Sequence, residues 1–175
     1  MRNDGASADR STSIIEAAHL RQALGRFATG VTIITTAAGE GKLEGLTANS
    51  FSSVSLDPPL VLWSLRRSAP SLQSFRDAGC FAVNVLASAQ LGLAQHFARS
   101  QQDKFDGIAF RSGHGGCPIL EGTLATFECS VETATDGGDH VIFIGRVHHA
   151  AFREGEPLIF SAGRYCRPAD LISDN

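Results

Sequence analysis

The segment Thr47-Ala-Asn-Ser-Phe-Ser-Ser-Val-Ser55 carries hydroxyls and an amide in a pattern that an ordinary half-buried strand does not show. Side chains of a strand alternate between two faces. Here Thr47, Asn49, Ser53 and Ser55 share one parity, while Ser50 and Ser52 take the other. Polar groups are costly to bury unless they are hydrogen-bonded. Two environments meet that demand about equally well: a bound ligand rich in donors and acceptors, or water along a solvated edge strand with serine-rich turns. Asp57-Pro58-Pro59 then stiffens the exit of the segment, because each proline fixes φ and restricts the residue before it.

Other residues offer single chemical groups. Arg66-Arg67-Ser68 follows an apolar stretch and could hold a phosphate through guanidinium and hydroxyl groups; a solvated loop accounts for it equally well. Lys104, within Asp103-Lys104-Phe105, carries the same two readings. Asp139-His140 lies at a glycine-rich turn, where a histidine either hydrogen-bonds an amide of a ligand or stands in solvent. His148 and His149 are neighbours on a predicted strand and point to opposite faces, so they do not share a metal. No His-x-x-x-His or carboxylate cluster lies nearby, and no metal site is expected. The chain lacks G-x-G-x-x-G, a P-loop and a G-x-S-x-G elbow. A Rossmann dehydrogenase and a serine hydrolase therefore find no support.

These groups must be positioned by regular elements. Ser13 with Glu16 fits a capping box, followed by an apolar stripe through Ile14, Ala17, Ala18, Leu24 and Phe27, with Gly30 as its end. Val31 to Thr36 and Leu43 to Asn49 read as strands, joined by a turn bracketed by Gly39, Gly41 and Gly45. Leu60 to Leu65 and Phe81 to Leu86 are further strands. Helical punctuation marks Ser68 to Gly79 and the stretch after Ser88. Residues 101 to 118 read as one long loop. Leu124 to Thr133 and Val141 to Ala151 are predicted strands around a turn at Asp136 to Asp139, and Pro157 to Ser161 is a last strand. Many strands with few helices indicate a mainly β barrel or sandwich.

The 175 residues are 43% hydrophobic, enough for one domain with a real core. A formal charge of -3 argues against a nucleic-acid partner, and no apolar run reaches membrane-spanning length. Residues 1–13 are polar, without the apolar stretch of a signal peptide. They predict a disordered leader before a single domain over 14–170, in a cytoplasmic protein. Cys80, Cys117, Cys129 and Cys166 show no Cys-x-x-Cys or zinc-finger spacing. Reduced structural thiols are expected, with Cys80 and Cys129 filling core space.

Several stretches, taken in order, form a pattern. They are Phe27-Ala-Thr-Gly-Val-Thr-Ile-Ile-Thr-Thr36, the run Gly45 to Val61, Phe81-Ala-Val-Asn-Val-Leu86, Leu93-Ala-Gln-His-Phe-Ala98 and Asp103-Lys-Phe-Asp-Gly107. Gly138-Asp-His140, Gly145-Arg-Val147, Pro157-Leu-Ile-Phe160 and Gly163-Arg-Tyr165 complete it. Over roughly Leu20 to Tyr165 the chain resembles the short-chain flavin reductases, the reductase components of two-component flavin-dependent monooxygenases. The resemblance implies a mainly β fold, a split β-barrel of the Greek-key, FMN-binding type with peripheral α-helices. It implies a homodimer that reduces FMN or FAD with NADH or NADPH and hands reduced flavin to a partner monooxygenase.

The resemblance also implies roles. Thr47, Ala48, Asn49 and Ser50 would line the flavin ring, with Ser53 and Ser55 close by. Ser64, Arg66 and Ser68 would approach the ribityl phosphate, and Phe97, Lys104 and Phe105 would fold over the flavin or its tail. His140 would stand at the nicotinamide as the catalytic residue, with Arg164 and Tyr165 near that site. Two other readings stay open: a flavin-dependent reductase of another acceptor, such as ferric iron or a cobalt corrinoid, and a non-catalytic flavin or haem binder on the same barrel. Trp63 departs from the smaller residue of many relatives, either filling the core or altering the pocket beside the flavin.

Overall fold

The computed structural model describes residues 15–100 and 103–171. Along the chain these form α1 (Ala17–Leu24), β1 (Thr29–Gly30), β2 (Thr32–Ala38), β3 (Lys42–Ala48), β4 (Ser52–Leu56), β5 (Pro59–Arg66), α2 (Leu72–Ala78) and β6 (Cys80–Val85). After them come α3 (Leu91–Ala98), β7 (Phe110–Ser112), β8 (Pro118–Leu120), β9 (Ala125–Gly137), β10 (His140–Phe152), β11 (Ile159–Ser161), β12 (Arg164–Cys166) and α4 (Pro168–Leu171).

Seven strands make one sheet in the order β3-β2-β6-β9-β10-β5-β4, antiparallel at every step. β3 and β4 follow one another in the chain yet lie at opposite edges of this sheet. Only Asn49–Phe51 separates them, so the sheet must curl until its edges come close. They do not pair, and the result is a split β-barrel. The hairpin of β9 and β10 supplies its long wall.

The barrel fills with apolar side chains from alternate strand positions. Val61, Trp63 and Leu65 of β5 face Val141 and Phe143 of β10, all buried. Trp63 is fully buried, stacked on Phe143 at 4.9 Å and edge-on to Phe75 of α2 at 4.9 Å, so it fills the core. A second core under α3 holds Val31, Ile33, Ala94 and Phe97. Thr29 Oγ1 and Trp63 Nε1 are buried without a hydrogen-bond partner among the described residues, but the buried polar groups that link the strands are paired. Thr32 donates to the Ala48 carbonyl at 2.8 Å and Thr35 to that of Pro118 at 2.6 Å. Asn84 donates to the Ile33 carbonyl at 3.1 Å and accepts the Leu120 N–H at 2.8 Å, which ties β6 to β2 and β8.

Several sequence expectations are corrected. The first helix is short: Glu16 is its N-cap, Gly25 its C-cap, and none of its side chains is buried. Ser13, Ile14 and the expected leader lie outside the described residues. Gly30 does not end a helix; it pairs with Ile159 in a small sheet of β1, β11 and β12. Gly45 belongs to β3 rather than to the turn. A Cβ there would sit 2.6 Å from the Phe97 ring, so close packing of α3 on the strand explains the glycine. The expected loop over 101–118 contains β7, which pairs with β8 at its end; each is three residues long, too short to show a period. Asp136 and Gly137 continue β9, leaving only Gly138 and Asp139 as the turn.

Candidate active site

The seam between β3 and β4 brings the polar run against the end of β5. Beyond Ala48 the chain leaves the sheet, and Phe51 re-anchors it by stacking on Phe127 of β9 at 5.5 Å. Between them Ser50 stands in for a strand partner. Its hydroxyl donates to the Ser64 carbonyl at 3.1 Å and accepts the Ser64 N–H at 3.0 Å. β4 then pairs with β5 through a register shift between Ser53 and Ser55, a bulge that re-aims both hydroxyls. Ser52 bonds only the adjacent Ser53 carbonyl at 3.1 Å.

β5 ends where β10 begins, and Arg66 pairs directly with His140. A clamp holds this corner. The Arg67 N–H donates to the Asp139 carbonyl at 2.9 Å, its Nε donates to the Gly138 carbonyl at 3.0 Å, and its guanidinium meets the Asp136 carboxylate at 2.8 Å. His140 Nδ1 lies 2.7 Å from Asp139 Oδ1. That hydrogen bond, reinforced by the charges of His140 and Arg66, holds the Asp139 carboxyl below its ordinary range. In the tautomer that donates Nδ1–H to Asp139, Nε2 is left as an acceptor.

A second group lies where β3 meets α3. Thr47 donates to the Ala94 carbonyl at 2.6 Å. Lys104 donates to the Gly45 carbonyl at 3.0 Å and to the Phe97 carbonyl at 3.2 Å. Burial holds the Lys104 ammonium below its ordinary pKa, with the Glu44 carboxylate opposing. Phe97 is buried, and Phe105 meets its ring edge-on at 5.2 Å. Thr47 and Lys104 thus spend their polar groups on bracing α3 and its following loop against β3. A groove of about 900 Å³ adjoins this brace, between Lys42, Glu44, Pro70, Ser71, Arg99 and Lys104. Arg164 and Tyr165 lie on β12, in the other sheet from His140. Arg164 is exposed, and Tyr165 packs edge-on to Phe160 at 5.3 Å, its phenol pushed up by burial.

Among the described residues, the side chains of Asn49, Ser53, Ser55, Arg66 and Ser68 make no hydrogen bond or salt bridge within the chain. The seam and the adjoining β5–β10 corner together present an amide, three hydroxyls, one guanidinium and the His140 Nε2, with Ser53 and Ser55 opposite Val61 and Leu60 of β5 and Arg66 at its other end. This donor set suits a ligand with a carbonyl-rich planar edge and a phosphate, and a second ligand bearing an amide. It offers no paired nucleophile and base, so its chemistry is positioning rather than covalent attack. Sequence reasoning missed the Arg67 clamp, because Arg67 and Asp136 come together only through the pairing of β5 with β10. The Asp139 contact was visible as a neighbour of His140, and the groove left no signal in the sequence.

Residues 24–169 match the model of the flavin reductase like domain. The FMN reductase (NADH) SmoA of Agrobacterium fabrum is 47% identical over 147 residues, 84% of this chain and 83% of that protein. The flavin-dependent monooxygenase reductase subunit HsaB of Rhodococcus jostii is 42% identical over 163 residues, 93% of this chain and 82% of its own length. A Rhizobium meliloti relative, 47% identical over 151 residues, is about twice as long, the match making up 48% of it. The NADH:FAD oxidoreductase SgcE6 of Streptomyces globisporus, solved in complex with NAD and FAD fragments, superposes with a TM-score of 0.81 at 41% identity, covering 86% of this chain and 91% of that one. The open barrel, the seam with its polar run and the histidine corner therefore belong to a protein of the flavin reductase like domain family.

Proposed function

We propose that the chain is an NAD(P)H:flavin oxidoreductase in which FMN or FAD lies along the seam from Asn49 to Ser55, with its phosphate at Arg66 and Ser68 and the nicotinamide at His140. The observation that carries this reading is the direct pairing of Arg66 with His140 beside the Ser50–Ser64 bridge. It sets the Arg66 cation and the His140 acceptor for an amide side by side, next to the Ser64 end of the seam, while Ser53 and Ser55 line the seam further along β5. When bound, the two cofactors supply the hydride donor and acceptor; the protein orients them.

Asn49, Ser53 and Ser55 hold the polar edge of the ring, and Arg66 with Ser68 neutralises the phosphate. His140 accepts a hydrogen bond from the carboxamide through Nε2, while Asp139 fixes the ring. Orientation of two bound rings removes much of the entropic barrier. Thr47, Phe97, Lys104 and Phe105 act behind the ring as a brace that sets where β3 ends. Ala48 ends β3 with its side chain packed in the barrel core.

Reduced flavin passes to a partner monooxygenase, in keeping with the relatives named as monooxygenase reductase subunits. No helix among the described residues is long and apolar enough to cross a membrane, and we place the activity in the cytoplasm. The working form is a homodimer. Val54 and Leu56, exposed by 46% and 95% on the edge strand β4, supply an apolar surface for it. The test is a turnover matrix of FMN and FAD against NADH and NADPH, read as loss of NAD(P)H absorbance. Rapid turnover with one flavin is expected; absence of turnover and of flavin binding in every combination overturns the proposal.

A further inference from the structure

A third packed cluster, apart from the seam, holds two thiols in contact. Cys80 opens β6, and Cys117 immediately precedes β8. The Cys117 thiol donates to Cys80 Sγ across 3.3 Å. Cys80 is 6% exposed and Cys117 is fully buried. A glycine strap, Gly113–Gly116, covers the pair. Its Gly115 carbonyl lies 3.8 Å from Cys80 Sγ, and Gly115 has φ +61 and passes so close that a Cβ there would overlap the Cys80 sulfur. The strap is pinned by the His114 N–H on the Glu128 carboxylate at 2.7 Å and by the Gly113 N–H on the Cys117 carbonyl at 2.8 Å. From the other side Thr36 donates to the Cys80 carbonyl at 2.8 Å. Flavin chemistry at the seam uses none of these groups.

We propose that Cys80 and Cys117 form a peroxide-reactive dithiol that a hydroperoxide closes to a disulfide and that small thiols reopen. The two sulfurs divide the labour. The hydrogen bond from Cys117 lowers the Cys80 pKa to about 7 against the effect of burial. The same bond, with burial, raises that of Cys117. Cys80 is therefore the thiolate and Cys117 the proton holder.

In the first step the Cys80 sulfur attacks one peroxide oxygen. The S–O bond forms, the O–O bond breaks, and the departing hydroxide takes a proton to become water. In the second step the Cys117 sulfur attacks Cys80. The S–S bond forms, the S–O bond breaks, and the hydroxyl leaves with the Cys117 proton as a second water. Two thiols and one hydrogen peroxide give one disulfide and two waters; the thiols lose two electrons and the peroxide gains them. The sulfurs must close from 3.3 Å to about 2.05 Å, a shift that the glycines preceding Cys117 can absorb. Under the function proposed above, reduced flavin set free in air is a source of the oxidant, since with dioxygen it yields oxidised flavin and hydrogen peroxide. The thiol reaction itself does not depend on that function.

The test adds hydrogen peroxide to the reduced full-length protein, removes the excess, denatures it and alkylates what remains. Of the four free cysteines, two should be lost to alkylation, a Cys80–Cys117 linked peptide should appear on digestion, and dithiothreitol should restore all four. In C117S, Cys80 should stop at the sulfenic acid and be trapped by dimedone; in C80S, Cys117 should remain alkylatable. Both variants are checked for fold by thermal melting, and the wild-type peptide map decides alone if neither folds. Four alkylatable cysteines after peroxide, a cross-link that omits either residue, or equal disulfide yield in C80S overturns the proposal. Turnover assays of the same samples keep this result separate from the flavin reading.

Discussion

His140→Ala should separate the two substrates. The side chain is 35% exposed, and its one hydrogen bond inside the described chain goes to Asp139, itself 86% exposed. The pairing with Arg66 is a backbone pairing and survives in alanine. Loss of stability should therefore stay within about 0.5 kcal/mol, as for surface substitutions. What the variant loses is a neutral hydrogen bond that Nε2 accepts from the carboxamide N–H, worth about 0.5–1.5 kcal/mol. At tenfold per 1.4 kcal/mol, that is a rise of about 2- to 12-fold in KM for NAD(P)H. Flavin binding, read by fluorescence titration, should change by less than about twofold, because none of the groups assigned to the flavin touches this ring. His140→Gln, which keeps an amide acceptor, should recover part of the loss. Steady-state kinetics and titration on the same preparation decide the matter. Equal losses for both substrates, or an unchanged KM for NAD(P)H, would refute the assignment of His140 to the nicotinamide.

Three further outcomes follow from the packing. Ser50→Ala removes both bonds that hold Ser64; it should cost about 1–3 kcal/mol in denaturant unfolding and weaken flavin binding as well. Gly45→Ala places a methyl 2.6 Å from the Phe97 ring. The overpacking should cost about 1–3 kcal/mol, a drop of roughly 2–4 °C in Tm for each, seen in a thermal melt. Burial pushes the Glu128 carboxyl up, but the Arg111 guanidinium and the His114 N–H outweigh it and hold the group below its ordinary range. Its folded pKa is thus depressed, so its stabilisation is present above the unfolded glutamate pKa and is lost as pH falls through the folded value. Glu128→Gln should flatten the acid limb of stability against pH in urea titrations, and an unchanged limb would contradict the pairing.

The long strands are legible as apolar runs: Leu60 to Leu65 and Val141 to Ala151 fall within β5 and β10, although nearly continuous apolar residues in Leu60–Leu65 and Val141–Ile144 hide which face each takes. Gly45 was misread because a glycine demanded by a neighbouring helix looks the same in sequence as one demanded by a turn. β7 and β8 were missed because each is three residues long, too short to show a period. At the site, the unusual polarity from Thr47 to Ser55 is plain in the sequence, but not how its groups divide. Thr47 and Ser50 are spent inside the chain, while Asn49, Ser53 and Ser55 are uncommitted. For Lys104 the sequence leaves a phosphate ligand and a solvated loop equally open; in the fold its ammonium braces two backbone carbonyls. Such divisions depend on which carbonyls lie opposite, and only the folded topology sets that.

The barrel that fails to close has a thermodynamic consequence. Among the described residues its two rims, β3 and β4, each have no neighbouring strand on their outer side, and the short stretch Asn49–Phe51 joins one to the other. On the proposed placement, a flavin in the gap serves as a removable stave of the cask, bonded to what the chain itself leaves unsatisfied. Folding and ligand occupancy are then linked quantities. The protein should gain about 2.7 kcal/mol of stability at a flavin concentration one hundred times its Kd, and each release of reduced flavin would leave the cask a stave short until the next one enters.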